Sequence, residues 1–255
     1  MDFFVTLGLV LFGYMTLWFV WSLIKKRNDV ADVAWGLGFV VLAWSALFLS
    51  METSLRSIVV TLLVSVWGLR LAYHIGKRHQ GKEEDYRYAK WRTEWGKWFV
   101  LRSYAQVYLL QGVLLYLVSL PVLLIAFSFG RPWGWLECFG LTVWLIGFYF
   151  EAVGDAELAR FLKNPENKGK LMRSGLWRYT RHPNYFGEVT QWWGISIMAF
   201  GVPLGYLGII GPLTITWLIL KVSGVPLLEN KMREHPDFAE YKRQTSVFVP
   251  LPPRK

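Results

Sequence analysis

Fourteen consecutive residues, Gly175-Leu176-Trp177-Arg178-Tyr179-Thr180-Arg181-His182-Pro183-Asn184-Tyr185-Phe186-Gly187-Glu188, are polar, aromatic and basic, and they run straight into an apolar segment beginning at Val189. Polar and charged groups at the edge of a membrane-length apolar run are expensive to keep there and usually functional. Pro183 suits the first turn of a helix, where its missing N–H would be unpaired anyway. Asn184 and Glu188, four residues apart, then share one helical face. A helix N-terminus beside Arg178, Arg181 and a protonated His182 favours an anion. These residue types at this spacing read as a site for a charged cofactor. A basic juxtamembrane loop on lipid head groups accounts for Arg178 and Arg181, but not for Asn184 and Glu188 inside the apolar boundary.

Further clusters carry chemistry. Glu151 closes the apolar run from Leu141 to Phe150, and Asp155 follows four residues on, on the same face. Carboxylates there can accept ribose hydroxyls or hold an Arg in place, and Lys163 can bind phosphate; solvated charges at an ordinary helix end are the alternative. Arg70 lies in the apolar stretch from Ile58 to Leu71, where an Arg faces a polar interior or snorkels to the surface. Glu84, Asp85, Arg87 and Tyr88 form either a closing loop or a solvated one. The tail from Glu229 to Pro250 is too apolar to hang loose, and is expected to fold back as a lid or to lie on the bilayer. Asp32, just before the second apolar run, is a candidate proton donor if buried, because desolvation favours the neutral carboxyl; the other reading is a helix cap. A single cysteine, Cys138, excludes an internal disulfide and a cysteine metal cluster. The four histidines show no ligand-like pairing, so no metal is expected.

What must position these residues is a membrane bundle. The 255 residues are 54% hydrophobic and 18% charged, with a mean hydropathy of +0.30, the profile of a polytopic membrane protein. The net charge of +10 is explained by membrane topology and anionic lipid rather than by nucleic acid. At roughly 20 apolar residues per span, seven helices are expected: 3–24, 33–50, 55–75, 104–127, 133–154, 186–200 and 203–222, the sixth being short. The second and third are separated by a tight turn near Met51-Glu52-Thr53. Lys and Arg crowd the first, third and fifth connections and the tail, while Arg56 and Arg131 alone occupy the alternate ones. The positive-inside rule then puts the N-terminus outside and the C-terminus in the cytoplasm. The first apolar run is too long for a signal-peptide core, and its basic flank follows it, so a retained span is expected. The expected fold is all-α, one integral membrane domain over residues 1–255, with the long cytoplasmic connections and the tail converging over one mouth.

The run from Gly175 to Glu188 resembles the signature of the steroid 5α-reductase and sterol C14-reductase superfamily. Its Arg181-His182-Pro183-Asn184-Tyr185-Phe186-Gly187 segment also resembles the shorter element of isoprenylcysteine carboxyl methyltransferases. The likeness extends from about residue 145 to the end and points to a bacterial branch of largely unassigned members, and so to the cytoplasmic membrane. It implies that residues 145–255 form a cofactor-binding half, that NADPH sits in the cytoplasm-facing part of the bundle, and that a lipophilic substrate enters from the membrane. Asn184 and Glu188 then contact nicotinamide or ribose. Glu151, Asp155, Lys163, Arg178, Tyr179, Arg181, His182, Tyr185 and Glu229 form the rest of the cofactor site, with Arg70 as an additional contact. The implied reaction is reduction of a C=C bond. The family's phenolic acid three residues before Arg70 is replaced by Trp67, leaving Asp32 or Tyr73 as the candidate acid. An S-adenosylmethionine-dependent methyltransferase is the second reading. The many cations suit the phosphates of NADPH better than the cationic S-adenosylmethionine. A non-catalytic lipid-binding protein is the third. Lipophilic substrate and membrane lipids are the partners expected, and the oligomeric state is left open.

Overall fold

In a computed structural model of the protein, the structure describes residues 2–50, 52–128 and 132–254. The turn expected at Met51 and the outer cation Arg131 lie outside the described residues. The described residues are helical; they form no strand, only an isolated parallel bridge between Thr180 and Ser246. The helices are α1 (Phe3–Lys25), α2 (Val30–Leu49), α3 (Leu55–His79), α4 (Tyr86–Val118), α5 (Leu120–Phe127), α6 (Trp135–Lys163), α7 (Pro183–Ala199), α8 (Gly205–Met232) and α9 (Phe238–Gln244).

Among the described residues, α1, α2, α3, α6 and α8 are each long and apolar enough to cross a bilayer. The α4–α5 pair, bent by 54°, makes a sixth if counted as one span. This is an integral membrane protein. The remaining expected span corresponds to α7, which begins at Pro183 as anticipated. Its 17 residues reach about 25 Å, short of a hydrocarbon core of about 30 Å.

The chain divides into two compact units, Met1–Trp133 with Ala199–Ile210, and Gly134–Met198 with Gly211–Lys255. In the first, α2 and α3 meet through glycine. A Cβ on Gly68 would lie 2.6 Å from the Gly36 carbonyl oxygen, so the backbones approach as only small residues allow. Trp67, 2% exposed, packs edge-on against Phe39 at 5.2 Å. The entrance to α2 is tied to the start of α4. Asp29 accepts from Arg27 at 2.7 Å and from the Asp85 amide at 3.1 Å, while Glu84 accepts from the Asn28 amide at 2.6 Å and from Arg92 at 2.9 Å.

The second unit is built on an antiparallel pair, α6 and α7. Gly140, Gly147 and Gly154 recur every seven residues on α6, as do Gly187 and Gly194 on α7. A seven-residue repeat drifts only about 20° per repeat around a helix, so the glycines form one continuous seam. Added Cβ atoms on Gly147 and Gly140 would lie 2.6 Å from the Gly187 and Gly194 carbonyl oxygens respectively.

Candidate functional site

The seam sets the register of a polar ladder. Asn184, on the first turn of α7, donates from Nδ2 to Asp155 Oδ1 at 3.1 Å. Two turns deeper, Gln191 Nε2 donates to Glu151 Oε2. Glu151, Asp155 and Gln191 are buried, and Asn184 and Glu188 are half-buried. Charged and amide groups therefore run from the start of α7 into the apolar part of the pair, where each needs a partner. Gln191 is the member that motif reading missed. A polar residue in an apolar run, seven after Asn184 and three after Glu188, was the available signal.

The loop that enters α7 is clasped on both sides. Gly175 holds a left-handed φ of 61°, and a Cβ there would run into the Glu157 carboxylate, which accepts from the Leu176 amide at 2.9 Å. Trp177 donates from its indole to the Gly154 carbonyl at 3.0 Å, and its own carbonyl accepts from Tyr241 at 2.6 Å. The tail folds back onto this loop. The Arg181 amide donates to Ser246 at 2.9 Å, the Leu251 amide to Tyr179 at 3.0 Å, and Thr180 Oγ1 to Phe248 at 2.8 Å.

Arg181, 5% exposed, points inward. It donates to Glu229 at 2.7 to 2.8 Å and to the carbonyls of Lys242 and Thr245. His182, fully buried, stacks on Tyr185 with ring centroids 5.6 Å apart. Its Nε2 is 3.4 Å from Glu229 Oε1, an ion-pair distance without hydrogen-bond alignment, and its Nδ1 has no hydrogen-bond partner. Lys163, Arg178 and Tyr179 are exposed, their side chains open to solvent. A surface cleft of about 310 Å³ is lined by Glu157, Arg160, Phe161, Met172 and Ser174.

The structure thus brings Glu151, Asp155, Asn184 and Gln191 into one polar ladder, with Glu188 on the same face of α7, and gathers Arg181, His182 and Glu229 into one buried cluster. Asp32, Arg70 and Tyr73 belong to the first unit. Asp32 accepts from Arg87 at 2.9 Å and from the Tyr88 phenol at 2.8 Å; Tyr88, 3% exposed, was read from sequence only as part of a loop. Arg70 is half-buried. Tyr73 is 68% exposed, its oxygen 3.5 Å from Lys77 Nζ.

A dinucleotide needs hydrogen-bonding groups for its carboxamide and ribose and cations for its phosphates. The second unit offers both. The unmet buried atoms His182 Nδ1 and Gln191 Oε1 lie on the residues flanking Asn184 and Glu188, and the open cations Lys163 and Arg178 stand at the solvent end. These residues fit the group.

Known proteins resemble parts of the chain. Rat 3-oxo-5-alpha-steroid 4-dehydrogenase 1 is 25% identical over 126 residues, 48% of this chain and 45% of that protein. The bovine protein of the same name is 35% identical over 63 residues, 25% and 24% of the two chains. An uncharacterized protein of Schizosaccharomyces pombe is 23% identical over 91% of this chain and 71% of its own. The alignment therefore spans less than half the length of these two steroid dehydrogenases. No solved structure matches the chain. A family profile described as "Protein of unknown function (DUF1295)" matches residues 18–245. The chain belongs to this family, which is steroid 5α-reductase-like.

Proposed function

We propose that the protein is a membrane-embedded, NADPH-dependent oxidoreductase that reduces a C=C bond of a steroid-like or other lipophilic substrate, in a bacterial cytoplasmic membrane. The observation that carries this is the polar ladder of Asp155–Asn184 and Glu151–Gln191 at the start of α7, in a chain whose family is steroid 5α-reductase-like. NADPH, when bound, supplies a hydride. Asn184 and Glu188 hold its nicotinamide end, with Asp155 fixing the Asn184 amide. Lys163 and Arg178 meet phosphate. Arg181, His182 and Glu229 act one step back, holding the tail against the loop that enters α7. Reduction of a conjugated C=C bond leaves negative charge on the substrate oxygen, which a positioned acid must meet. The candidate acids Asp32 and Tyr73 both lie in the first unit: Asp32 accepts from Arg87 and from the Tyr88 phenol, and Tyr73 stands exposed. The apolar surroundings exclude water and strengthen each of these contacts.

Calorimetric titration of the protein in nanodiscs with NADPH, NADP⁺ and S-adenosylmethionine tests the reading. NADPH is expected to bind, and Asn184→Ala with Glu188→Ala to abolish binding. The reading fails if neither nicotinamide form binds, and binding of S-adenosylmethionine in their place would make the chain a methyltransferase.

A further inference from the structure

Gln191 follows Asn184 by seven residues and Glu188 by three, so all three share one face of α7. It is 1% exposed. Its Nε2 donates to Glu151 Oε2 and, at 3.4 Å, to the Gly187 carbonyl. Its Oε1 has no hydrogen-bond partner. An amide oxygen is a full acceptor, and an unmet buried acceptor is among the more expensive defects a folded chain can carry. Against an ionised Glu151 the amide does not turn over, because its oxygen would then face the carboxylate, acceptor against acceptor. Glu151 therefore aims the Gln191 oxygen away from itself.

A second unmet group lies on the same seam. Trp144, 3% exposed, carries an indole Nε1 without a partner. It precedes Gly147 by three residues, and its backbone nitrogen would be 2.7 Å from a Cβ on Gly194. The α6–α7 pair thus buries an unmet acceptor from one helix and an unmet donor from the other.

We propose that Gln191 is a ligand-binding residue whose Oε1 accepts a hydrogen bond from an N–H or O–H group of the molecule held along this face of α7, with Glu151 as the positioning residue that orients it. The inference rests on the reductase reading, which supplies two donors of this chemistry: the carboxamide of nicotinamide and a hydroxyl on a lipophilic substrate.

Equilibrium binding in nanodiscs tests it in two arms. One compares NADP⁺ with its 3-acetylpyridine analogue, which keeps the carbonyl and lacks the amide N–H. The other compares cholesterol with cholest-5-ene, which lacks the hydroxyl. The wild type is expected to prefer the donor-bearing probe by about tenfold in one arm, and that arm identifies the source. The double variant Glu151→Leu/Gln191→Leu removes both members of the buried pair, stranding no charge, and is expected to bring the ratio to about one. Equal affinities in both arms, or a preference that survives the double variant, overturn the proposal. If the double variant does not fold, the wild-type ratios decide. Failure to bind any nicotinamide probe, with the hydroxyl preference intact, would sink the reductase reading and leave Gln191 assigned. NADP⁺ binding without preference in either arm would do the reverse, and failure of all four probes to bind would sink both.

Discussion

Arg181 shows how a cation that looks like a phosphate ligand in sequence becomes an internal strut. Its guanidinium is buried against Glu229 and two carbonyls, an arrangement that a planar five-donor fork can make and a point charge cannot. Removing one partner of a buried pair leaves the other charge uncompensated. Arg181→Ala is therefore expected to lower stability by about 3 kcal/mol in thermal unfolding, and Arg181→Lys to recover only part of it. Arg178→Ala, at an exposed position, is expected to leave unfolding unchanged and to weaken cofactor binding. The opposite pattern would exchange the two roles. Acid sensitivity is also expected in the other unit. Burial pushes the Asp29 carboxyl up, but the Arg27 guanidinium and the Asp85 amide outweigh it and hold the group below the ordinary carboxylate range. Asp85 is likewise raised by burial and lowered further by the Arg87 side chain and amide. Groups with depressed values stabilise the fold above their unfolded pKa of about 4 and lose that contribution as pH falls through the folded value. Hydrogen-exchange protection, taken relative to the intrinsic rate at each pH, is thus expected to be lower in residues 80–92 at pH 3 than at pH 6, and Asp29→Asn to remove much of the difference.

At the scale of elements, the spacing of small residues does what hydrophobicity cannot. Apolar surface gives no preference between helices already surrounded by lipid tails, so close backbone approach sets the α6–α7 register. Gly147→Ala and Gly194→Ala would each put a methyl within van der Waals overlap of the facing helix, an overpacking worth about 1–3 kcal/mol. Gly13→Ala on α1, where a Cβ meets nothing within 4 Å, is expected to be neutral. Unfolding midpoints that fall equally for all three would show that the seam is not what holds the pair. The start of α7 was legible from Pro183 and the four-residue spacing of Asn184 and Glu188. The partners of those residues were not, because Asp155 lies 29 positions away from Asn184 and only the antiparallel crossing brings them together.

At the scale of the molecule, orientation follows from charge. If the N-terminus lies outside, as the positive-inside rule expects, the start of α6 and its exposed Cys138 face outward. A membrane-impermeant maleimide is expected to label Cys138 in intact cells. Arg254→Cys in a Cys138→Ser background is expected to react only after permeabilisation; the reverse pattern would invert the topology. The helical membrane class and the helix start at Pro183 followed from the sequence by itself, because apolar length, basic flanks and the helix-start chemistry of residues 175–188 are local properties. Tertiary structure decided which of the motif's groups point outward and which are consumed internally. Arg181, His182 and Glu229 are drawn into one buried cluster by the returning tail, while Gln191 and Glu151 become a pair only through the glycine seam. Burial and partnership depend on residues far apart in the chain, and so on the packing that brings them together.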